Sequence, residues 1–297
     1  MPENSKMWEE VIPSRLRVLS TYTKRVYNWN RNSTPFLSGD LFADQSDLSI
    51  FGPNFRVRNS FRKEISNATV IFCPSEKLQT LFDVFGEKIR AKVILCSNSD
   101  FEFHKLPKSI PPSVKQLFLQ NSFISDNELV TTLPIGIENI RWGMNGFPRL
   151  MTSSIPWNQR INKVLVGPFG LTHPLRYQVR DELILDSDSI EFVDHRYSPN
   201  AYSKLMQTFR YVAAVRGNGV DTHRHWEALY RGVIPIVLRD EWTANLSALK
   251  LPFLEVSSWN IEELKVILEM GVDRTFSPKE LPALWWPYWK DLINSYL

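Results

Sequence analysis

YVAAVRGNGVDTHRHWEALYRGVIPIVL, residues 211–238, is the stretch that decides the fold of this chain. The apolar run that opens it predicts a buried strand, and the apolar run that closes it predicts a second strand. Between them lies a polar loop, Arg216-Gly217-Asn218-Gly219, whose two glycines permit a tight turn with positive φ. A helix begins near Asp221 or Thr222, either of which can cap it. The stretch therefore predicts a strand, a polar loop, a helix and a strand.

The predicted helix has two different faces. At about 100° per residue, one arc carries three polar residues: His223, Arg224 and Glu227. The other arc, which we expect to face the core, carries Trp226, Leu229 and Tyr230. A cation, a carboxylate, a helix N-terminus and exposed backbone N–H groups suit a ligand with both phosphates and hydroxyls, such as a nucleotide sugar.

The same residues resemble those of a known family. The stretch is similar to the donor-binding core of exostosin-like glycosyltransferases of GT-B architecture, in which an RG loop leads into a helix with DTHRxWEAL and then GxIPIV. The matching residues here are Arg216-Gly217, Asp221-Thr222-His223-Arg224, Trp226-Glu227-Ala228-Leu229 and Gly232-Val233-Ile234-Pro235-Ile236-Val237. A second patch, residues 119–121 and 133–139, resembles the end of the acceptor-side domain in related proteins.

This resemblance implies a fold and an activity. The fold is α/β, with two Rossmann-like doubly wound domains that face a central cleft and a C-terminal helix that crosses back to the first domain. We expect an acceptor-side domain over residues 1–155 and a donor-binding domain over residues 156–297. The implied reaction moves a sugar from a nucleotide sugar, the co-substrate, to a hydroxyl of a polysaccharide or glycoconjugate. Neither a metal ion nor a further cofactor is expected.

The order of apolar runs along the chain agrees with this fold class. From Ala68 onward, apolar runs alternate with amphipathic segments, a pattern that predicts a parallel sheet covered on both faces. A polar stretch with several prolines, residues 139–160, predicts a linker. After it, five strands with helices between them predict a doubly wound sheet. Residues 1 to about 60 show no clear period, and we interpret them as a helix followed by loops.

The donor site is predicted at the carboxyl ends of the second set of strands, where the loops after Val166, Val193, Val215 and Leu238 should share one crevice. Glu227 is expected to bind ribose or sugar hydroxyls, or alternatively to pair with Arg224 or Arg231. Cationic side chains should neutralise the diphosphate, and their alternative is a solvated basic face. The full set of donor-binding candidates is Arg176, Arg180, Arg216, Gly217, Asn218, Gly219, Asp221, Thr222, His223, Arg224 and Glu227.

Several of these roles have named alternatives. Arg180 can instead pair with Asp181 or Glu182, and His223 can be a plain helix-cap residue. The catalytic candidates are Arg224, for the leaving diphosphate, and Asp100, as the base that deprotonates the acceptor. Glu138 is the rival base, and an Asx-turn is the alternative role of Asp100.

Metal binding is not predicted. Asp186-Ser187-Asp188 spells a DxD signature, but it precedes a strand and so lies at the opposite end of the sheet from the crevice. His223 and His225 are two positions apart on a helix and face different ways.

Composition excludes some classes of partner. A net charge of +3 and a pI near 8.8 fit an anionic substrate or contact with acidic lipid head groups, but fall short of a nucleic-acid footprint. Cys73 and Cys96 lie in apolar runs and are expected to be core thiols. With no signal core or apolar span in the sequence, we expect a cytoplasmic protein.

The aromatic residues suggest two further roles. Trp142 and Trp157 are candidates for stacking on sugar rings, whereas the C-terminal cluster is expected to clamp the last helix onto the body: Trp285, Trp286, Tyr288 and Trp289. Two other functions remain open at this point. One is a non-catalytic nucleotide- or carbohydrate-binding module, and the other is transfer of a phosphorylated alditol from a nucleotide carrier.

Overall fold

The computed structural model describes residues 33–50, 59–142, 145–152, 154–170, 172–270 and 275–297. Residues 33–297 form one compact unit. Within the described ranges, this unit is an α/β fold with two parallel five-stranded sheets, consistent with two Rossmann-like halves. The chain passes from the first sheet to the second between residues 132 and 161. That range contains the predicted division at residue 155, which itself stays a prediction.

The first sheet has strands in chain order. Its members are β1 (Leu48–Ser49), β2 (Val70–Pro74), β3 (Val93–Ser97), β4 (Gln116–Leu119) and β5 (Val130–Thr132). Its helices are α1 (Gly39–Asp44), α2 (Asn59–Asn67) and α3 (Leu78–Phe85). Among these described strands, the order shows no reversal, so the doubly wound expectation is not met here. The sequence did not predict strand β1, because two residues are too few to show a period. The interpretation of residues 1–60 as a helix followed by loops lies partly outside the described residues.

The second sheet has the predicted reversal of strand order. Its members are β6 (Ile161–Val166), β7 (Ile190–Phe192), β8 (Phe209–Ala213), β9 (Ile234–Leu238) and β10 (Leu254–Val256), and their spatial order is β10-β9-β8-β6-β7. Its helices are α4 (Pro174–Leu183), α5 (Pro199–Gln207), α6 (His223–Tyr230), α7 (Glu241–Leu246) and α8 (Ile261–Glu269). The order reverses between β6 and β8. Open α/β sheets bind ligands at such a switch point, outside the carboxyl ends of the strands.

The last helix, α9 (Trp286–Asn294), packs against the first sheet. Trp289 is fully buried there, and its ring lies 6.1 Å from that of Phe42 and 6.5 Å from that of Phe118. The indole N–H of Trp289 donates to the carbonyl oxygen of Ala283 at 2.8 Å. The predicted aromatic clamp, and the predicted return of the C-terminal helix to the first sheet, are both confirmed.

The two cysteines are core residues, as predicted. Cys73 and Cys96 are paired on the neighbouring strands β2 and β3, and both are fully buried. Their Sγ atoms lie 3.6 Å apart, and burial raises the pKa of Cys96 well above its ordinary value. None of the helices in the described ranges has the length and apolar character needed to cross a bilayer.

Candidate functional site

A cleft of about 210 Å³ opens at the switch point of the second sheet. Residues 168–170, which follow β6, form one wall, and Ala213 and Val215 from the end of β8 form the floor. The start of α6 forms the opposite wall, and Glu138 and Asn145 reach the cleft from the first half of the chain. Residues that follow β6 and β8 therefore share one crevice, as predicted, but residues 216–221 of the loop after β8 do not line it. The loops after Val193 and Leu238 do not line it.

Helix α6 presents the two faces that its sequence predicts. Thr222 occupies the N-cap position with an extended backbone, φ −124° and ψ 149°. The apolar arc is buried in the core, with Trp226, Leu229 and Tyr230 at most 2 % exposed. The polar arc lines the cleft through His223, Arg224 and Glu227. Thr222 also lines the cleft, so the N-terminus of α6 faces the same space.

Arg224 connects the start of α6 to the loop after β6. Its Nη1 donates to the carbonyl oxygen of Gly167 at 2.6 Å, and its Nη2 donates to that of Pro168 at 3.3 Å. The guanidinium lies 4.7 Å from the centre of the Tyr202 ring, a cation–π distance. The Tyr202 hydroxyl donates to the same Gly167 oxygen at 2.8 Å. These contacts fix the position of the Arg224 cation at the cleft wall.

Glu227 is almost buried, with 7 % exposure, and lines the cleft. Its Oε2 lies 3.9 Å from Nη1 of Arg231, which is 2 % exposed. Two hydrogen bonds hold the Arg231 side chain in place: its Nη1 donates to the Glu227 carbonyl oxygen at 2.7 Å, and its Nε donates to Ser203 Oγ at 2.9 Å. Burial lowers the pKa of Arg231. The anticipated alternative partner of Glu227 is therefore present, but as a buried cation beneath the carboxylate.

Arg176 lines the cleft, but its guanidinium is directed mainly at backbone oxygens. Nε donates to the Arg216 carbonyl at 2.9 Å and Nη2 to the Val215 carbonyl at 3.1 Å. Nη1 donates to the Gly170 carbonyl at 2.9 Å and to Thr172 Oγ1 at 3.0 Å. Burial, together with the nearby Arg224 charge, lowers the pKa of Arg176 to about 10. Arg176 thus joins the loops after β6 and β8 while adding positive charge to the cleft.

His223 has a defined orientation in the cleft. Its Nδ1 lies 2.9 Å from the carbonyl oxygen of Gly136. Because a carbonyl oxygen only accepts hydrogen bonds, Nδ1 carries the proton in this contact and the neutral ring keeps its lone pair on Nε2. The helix cap is formed by Thr222 and His225, so the alternative role of His223 as a cap partner is wrong, and its ring instead contacts the first half of the chain.

Several predicted site residues lie outside the cleft. Arg216 forms an ion pair with Glu102, and the Asn218 amide donates to Asp100 Oδ2 at 3.2 Å. Arg180 is exposed and donates to Asp181 Oδ1 at 2.9 Å, which is the alternative expected for it. The structure does not bring Arg180, Arg216 or Asn218 to the lining of the cleft.

Asp221 does not line the cleft, and its hydrogen bonds instead connect segments of the fold. It is 3 % exposed, and its Oδ2 accepts the backbone N–H of Ile135 at 2.7 Å. Its Oδ1 accepts the indole N–H of Trp226 at 2.8 Å. The Asp221 backbone N–H donates to Asn121 Oδ1 at 2.9 Å. Asp221 therefore joins the start of α6 to the segments that follow β4 and β5.

Gly217 and Gly219 do not use the positive φ that their residue type permits, whereas Gly167, in the loop after β6, has a φ of 85°. Both glycines instead lie close to neighbouring side chains. A Cβ on Gly219 would lie 2.7 Å from Asn121 Nδ2, and one on Gly217 would lie 3.1 Å from Arg176 Nη2.

Of the two candidate bases, Glu138 lines the cleft and Asp100 does not. The Glu138 carboxylate accepts the backbone N–H of Asn145 at 2.6 Å, whereas Asp100 is exposed and contacts Asn218. Asp100 is therefore not positioned to deprotonate an acceptor that binds in the cleft.

The two proposed sugar-stacking residues differ. Trp142 is 61 % exposed, with the Arg141 guanidinium 5.3 Å from its ring centre. Trp157 packs edge-on against Tyr211 at 5.8 Å and lies outside the cleft.

The DxD-like tripeptide lies between α4 and β7, at the amino end of that strand. Asp186 accepts the Ser189 backbone N–H at 2.9 Å and pairs with Lys265 at 2.9 Å, so it shapes a turn. Within the described part of the chain, no group of three or more His, Cys, Asp or Glu side chains is arranged to hold a metal ion.

Three residues near the cleft were not predicted. Tyr202 supports Arg224, Thr172 bonds Arg176, and Asn145 fixes Glu138. Asn145 lay in the predicted linker, and Tyr202 lies on α5, whose period predicts a core face and gives no sign of a site. Only the position of Thr172, in the glycine-containing loop after β6, offered a signal.

Comparison with protein-family models and with curated proteins finds no match for this chain.

Proposed function

We propose that the protein is a metal-independent glycosyltransferase of GT-B architecture, which moves a sugar from a nucleotide-activated donor to a hydroxyl of a polysaccharide or glycoconjugate. The observation that carries the proposal is the composition of the cleft at the β6–β8 switch point. Arg224, His223 and Glu227, all near the N-terminus of one helix, line it together. Cations and a helix N-terminus bind phosphates, and a carboxylate binds sugar hydroxyls.

The donor diphosphate is assigned to the wall formed by Arg224 and the first turn of α6. Arg224 uses one N–H of each terminal nitrogen on the carbonyls of Gly167 and Pro168, and a guanidinium has five N–H donors in all. The others are available to phosphate oxygens. Because its contacts hold Arg224 in place before the donor binds, little reorganisation is needed when charge develops on the leaving diphosphate.

Glu227 is assigned to the ribose or sugar hydroxyls of the donor. A carboxylate offers two oxygens that accept hydrogen bonds from a pair of neighbouring hydroxyls. The buried Arg231 lies beneath the carboxylate, with its Nη1 3.9 Å from Oε2 of Glu227.

The acceptor hydroxyl is assigned to the side of the cleft that the first half of the chain forms. Its oxygen forms a bond to the anomeric carbon of the donor sugar, and the bond from that carbon to the diphosphate breaks. The hydroxyl proton passes to the carboxylate of Glu138, the candidate base that lines the cleft. The electron pair of the broken bond leaves with the diphosphate, next to the positive charges of Arg224 and Arg176.

The test is incubation with UDP-, GDP- and CMP-sugars and a panel of glycan acceptors, followed by mass spectrometry of the products. Transfer should fall at least about 100-fold in Glu227→Gln and in Arg224→Lys, with thermal unfolding close to that of the unaltered protein. Two exposed residues outside the cleft supply matched controls: Glu262→Gln and Arg239→Lys should each retain activity. Binding without transfer or donor hydrolysis across the panel would identify a non-catalytic module, and a product heavier by a phosphorylated alditol would identify the third function.

A further inference from the structure

A second, smaller cavity lies beside the cleft, between the carboxyl ends of β8 and β9. Ala213 and Val215 line the cleft, whereas the alternate residues Ala214 and Arg216 line the small cavity. This alternation is expected along an extended chain, in which successive side chains point to opposite sides. The two spaces therefore lie on opposite sides of the segment that follows β8.

Three buried N–H donors belong to residues that line this small cavity. They are Nε of Arg216, Nε1 of Trp242 and Nε1 of Trp259, and none has a hydrogen-bond partner among the residues that the structure describes. Trp242 is 1 % exposed and Trp259 is 7 % exposed. A buried donor without an acceptor destabilises the folded protein. Three of them around one cavity indicate a site for atoms that accept hydrogen bonds.

The remaining walls add the Asp240 carboxylate, the His225 ring and several apolar surfaces. Asp240 lies at the N-terminus of α7, where its Oδ1 accepts the Thr243 backbone N–H at 2.9 Å. Leu175, Val220 and Leu238 supply apolar contacts. The enclosed volume is about 20 Å³, which is room for a single oxygen atom or water molecule. Arg216, Leu175 and Leu238 are only half-buried, so this part of the cavity wall reaches the protein surface.

We propose that this cavity receives a carbonyl group of the donor nucleobase, and so selects a keto base, uracil or guanine, over its amino counterpart. The inference rests on the proposed function, since it assigns the base of the nucleotide whose diphosphate lies in the cleft. Uracil and guanine present a carbonyl oxygen where cytosine and adenine present an amino group. Indole and guanidinium N–H groups pair with the carbonyl, and the Asp240 carboxylate can accept the adjacent ring N–H.

The amino bases are disfavoured by the same groups. An amino group placed against N–H donors leaves both sides without an acceptor in a buried space. Sites built to hydrogen-bond one group reject analogues that lack it far more strongly than apolar pockets reject a change in size. The selection should therefore be visible as a difference in affinity between nucleotides of similar size, most directly between UDP and CDP, whose bases have the same number of non-hydrogen atoms.

The test is calorimetric titration with two matched pairs of nucleotides, UDP against CDP and GDP against ADP. At least one keto nucleotide should bind ten-fold or more tightly than its amino counterpart. Trp259→Phe and Trp242→Phe each remove one indole donor and should reduce that preference at least three-fold. Trp157→Phe, which alters a tryptophan outside both cavities, should leave it unchanged.

Inorganic pyrophosphate separates this inference from the proposed function. Its affinity should fall in Arg224→Lys and stay unchanged in Trp259→Phe. If pyrophosphate and all four nucleotides bind, but without a preference within either pair, the base assignment is overturned and the diphosphate site stands. If neither pyrophosphate nor any nucleotide binds, both assignments are overturned.

A measurement on the unaltered protein tests the base assignment without relying on the folding of any variant. In a ¹H–¹⁵N spectrum, saturating UDP or GDP should move the indole resonances of Trp242 and Trp259, and pyrophosphate should move neither. Indole resonances that respond identically to pyrophosphate and to both keto nucleotides would contradict the assignment.

Discussion

The carbonyl oxygen of Gly167 accepts a 2.6 Å hydrogen bond from Arg224, and this contact connects the loop after β6 to the start of α6. The same oxygen accepts the Tyr202 hydroxyl at 2.8 Å. One backbone carbonyl at the switch point therefore holds both the cation that faces the cleft and the ring beneath it. Three elements, β6, α5 and α6, meet at this atom.

Arg176 should contribute to stability as much as to binding. Arg176→Ala removes hydrogen bonds to the carbonyls of Gly170, Val215 and Arg216, and should lower the free energy of unfolding by about 2–4 kcal/mol. Arg180→Ala, four residues away on the same helix and exposed, should change it by no more than about 0.5 kcal/mol. Urea denaturation measures both. Equal effects would show that the backbone contacts of Arg176 do not hold the two loops together.

Tyr202 should make stability fall at alkaline pH. Burial raises the pKa of Tyr202 to about 12, although the Arg224 charge opposes this. The unfolded chain ionises tyrosine near pH 10, so between pH 10 and 12 the folded protein keeps a proton that the unfolded chain loses. The contribution of Tyr202 to the free energy of unfolding is therefore fully present below pH 10. It is lost as the pH rises toward 12, which lowers the free energy of unfolding by up to about 3 kcal/mol.

The measurement is urea denaturation at several pH values from 8 to 11.5 in the unaltered protein and in Tyr202→Phe. The variant should lose stability less steeply above pH 10. Tyr230, whose pKa burial also raises, accounts for part of the remaining slope. Identical slopes in the two proteins would show that the Tyr202 hydroxyl is not protected from ionisation.

The contact of α9 with the first sheet should be a major contribution to stability. Trp289→Ala removes a fully buried side chain and should cost about 3–5 kcal/mol. Trp142→Ala, which removes a side chain that is 61 % exposed, should change stability by about 0.5 kcal/mol or less. Thermal and urea unfolding measure both. A change of less than about 1 kcal/mol in Trp289→Ala would show that packing of α9 against the first sheet contributes little to the free energy of unfolding.

Local patterns predicted the second half of the chain well. The alternation of apolar runs gave β6–β10, and the 3.6-residue period of α6 gave both its buried arc and the arc that lines the cleft. Asn260 has a residue type that favours an N-cap, and its side chain accepts the Glu263 backbone N–H at 2.9 Å. These features depend on residues close together in sequence.

The features that the sequence did not predict depend on distant residues. Arg216 is paired by Glu102, and Asp221 is bonded by Ile135, because segments of the first half of the chain pack against the loop and the start of α6. No local pattern indicates such partners. For the same reason Arg176, expected to serve the diphosphate, also bonds carbonyls that only the folded chain brings near it.

Metal-free binding of the nucleotide diphosphate by Arg224 is tested by titration with UDP and GDP in excess EDTA, with Arg224→Ala alongside the unaltered protein. We predict that at least one nucleotide binds the unaltered protein in EDTA as tightly as in Mn²⁺, and that Arg224→Ala weakens this binding at least ten-fold. Binding that is lost in EDTA and restored by Mn²⁺, or binding that is equal in the two proteins, would contradict it.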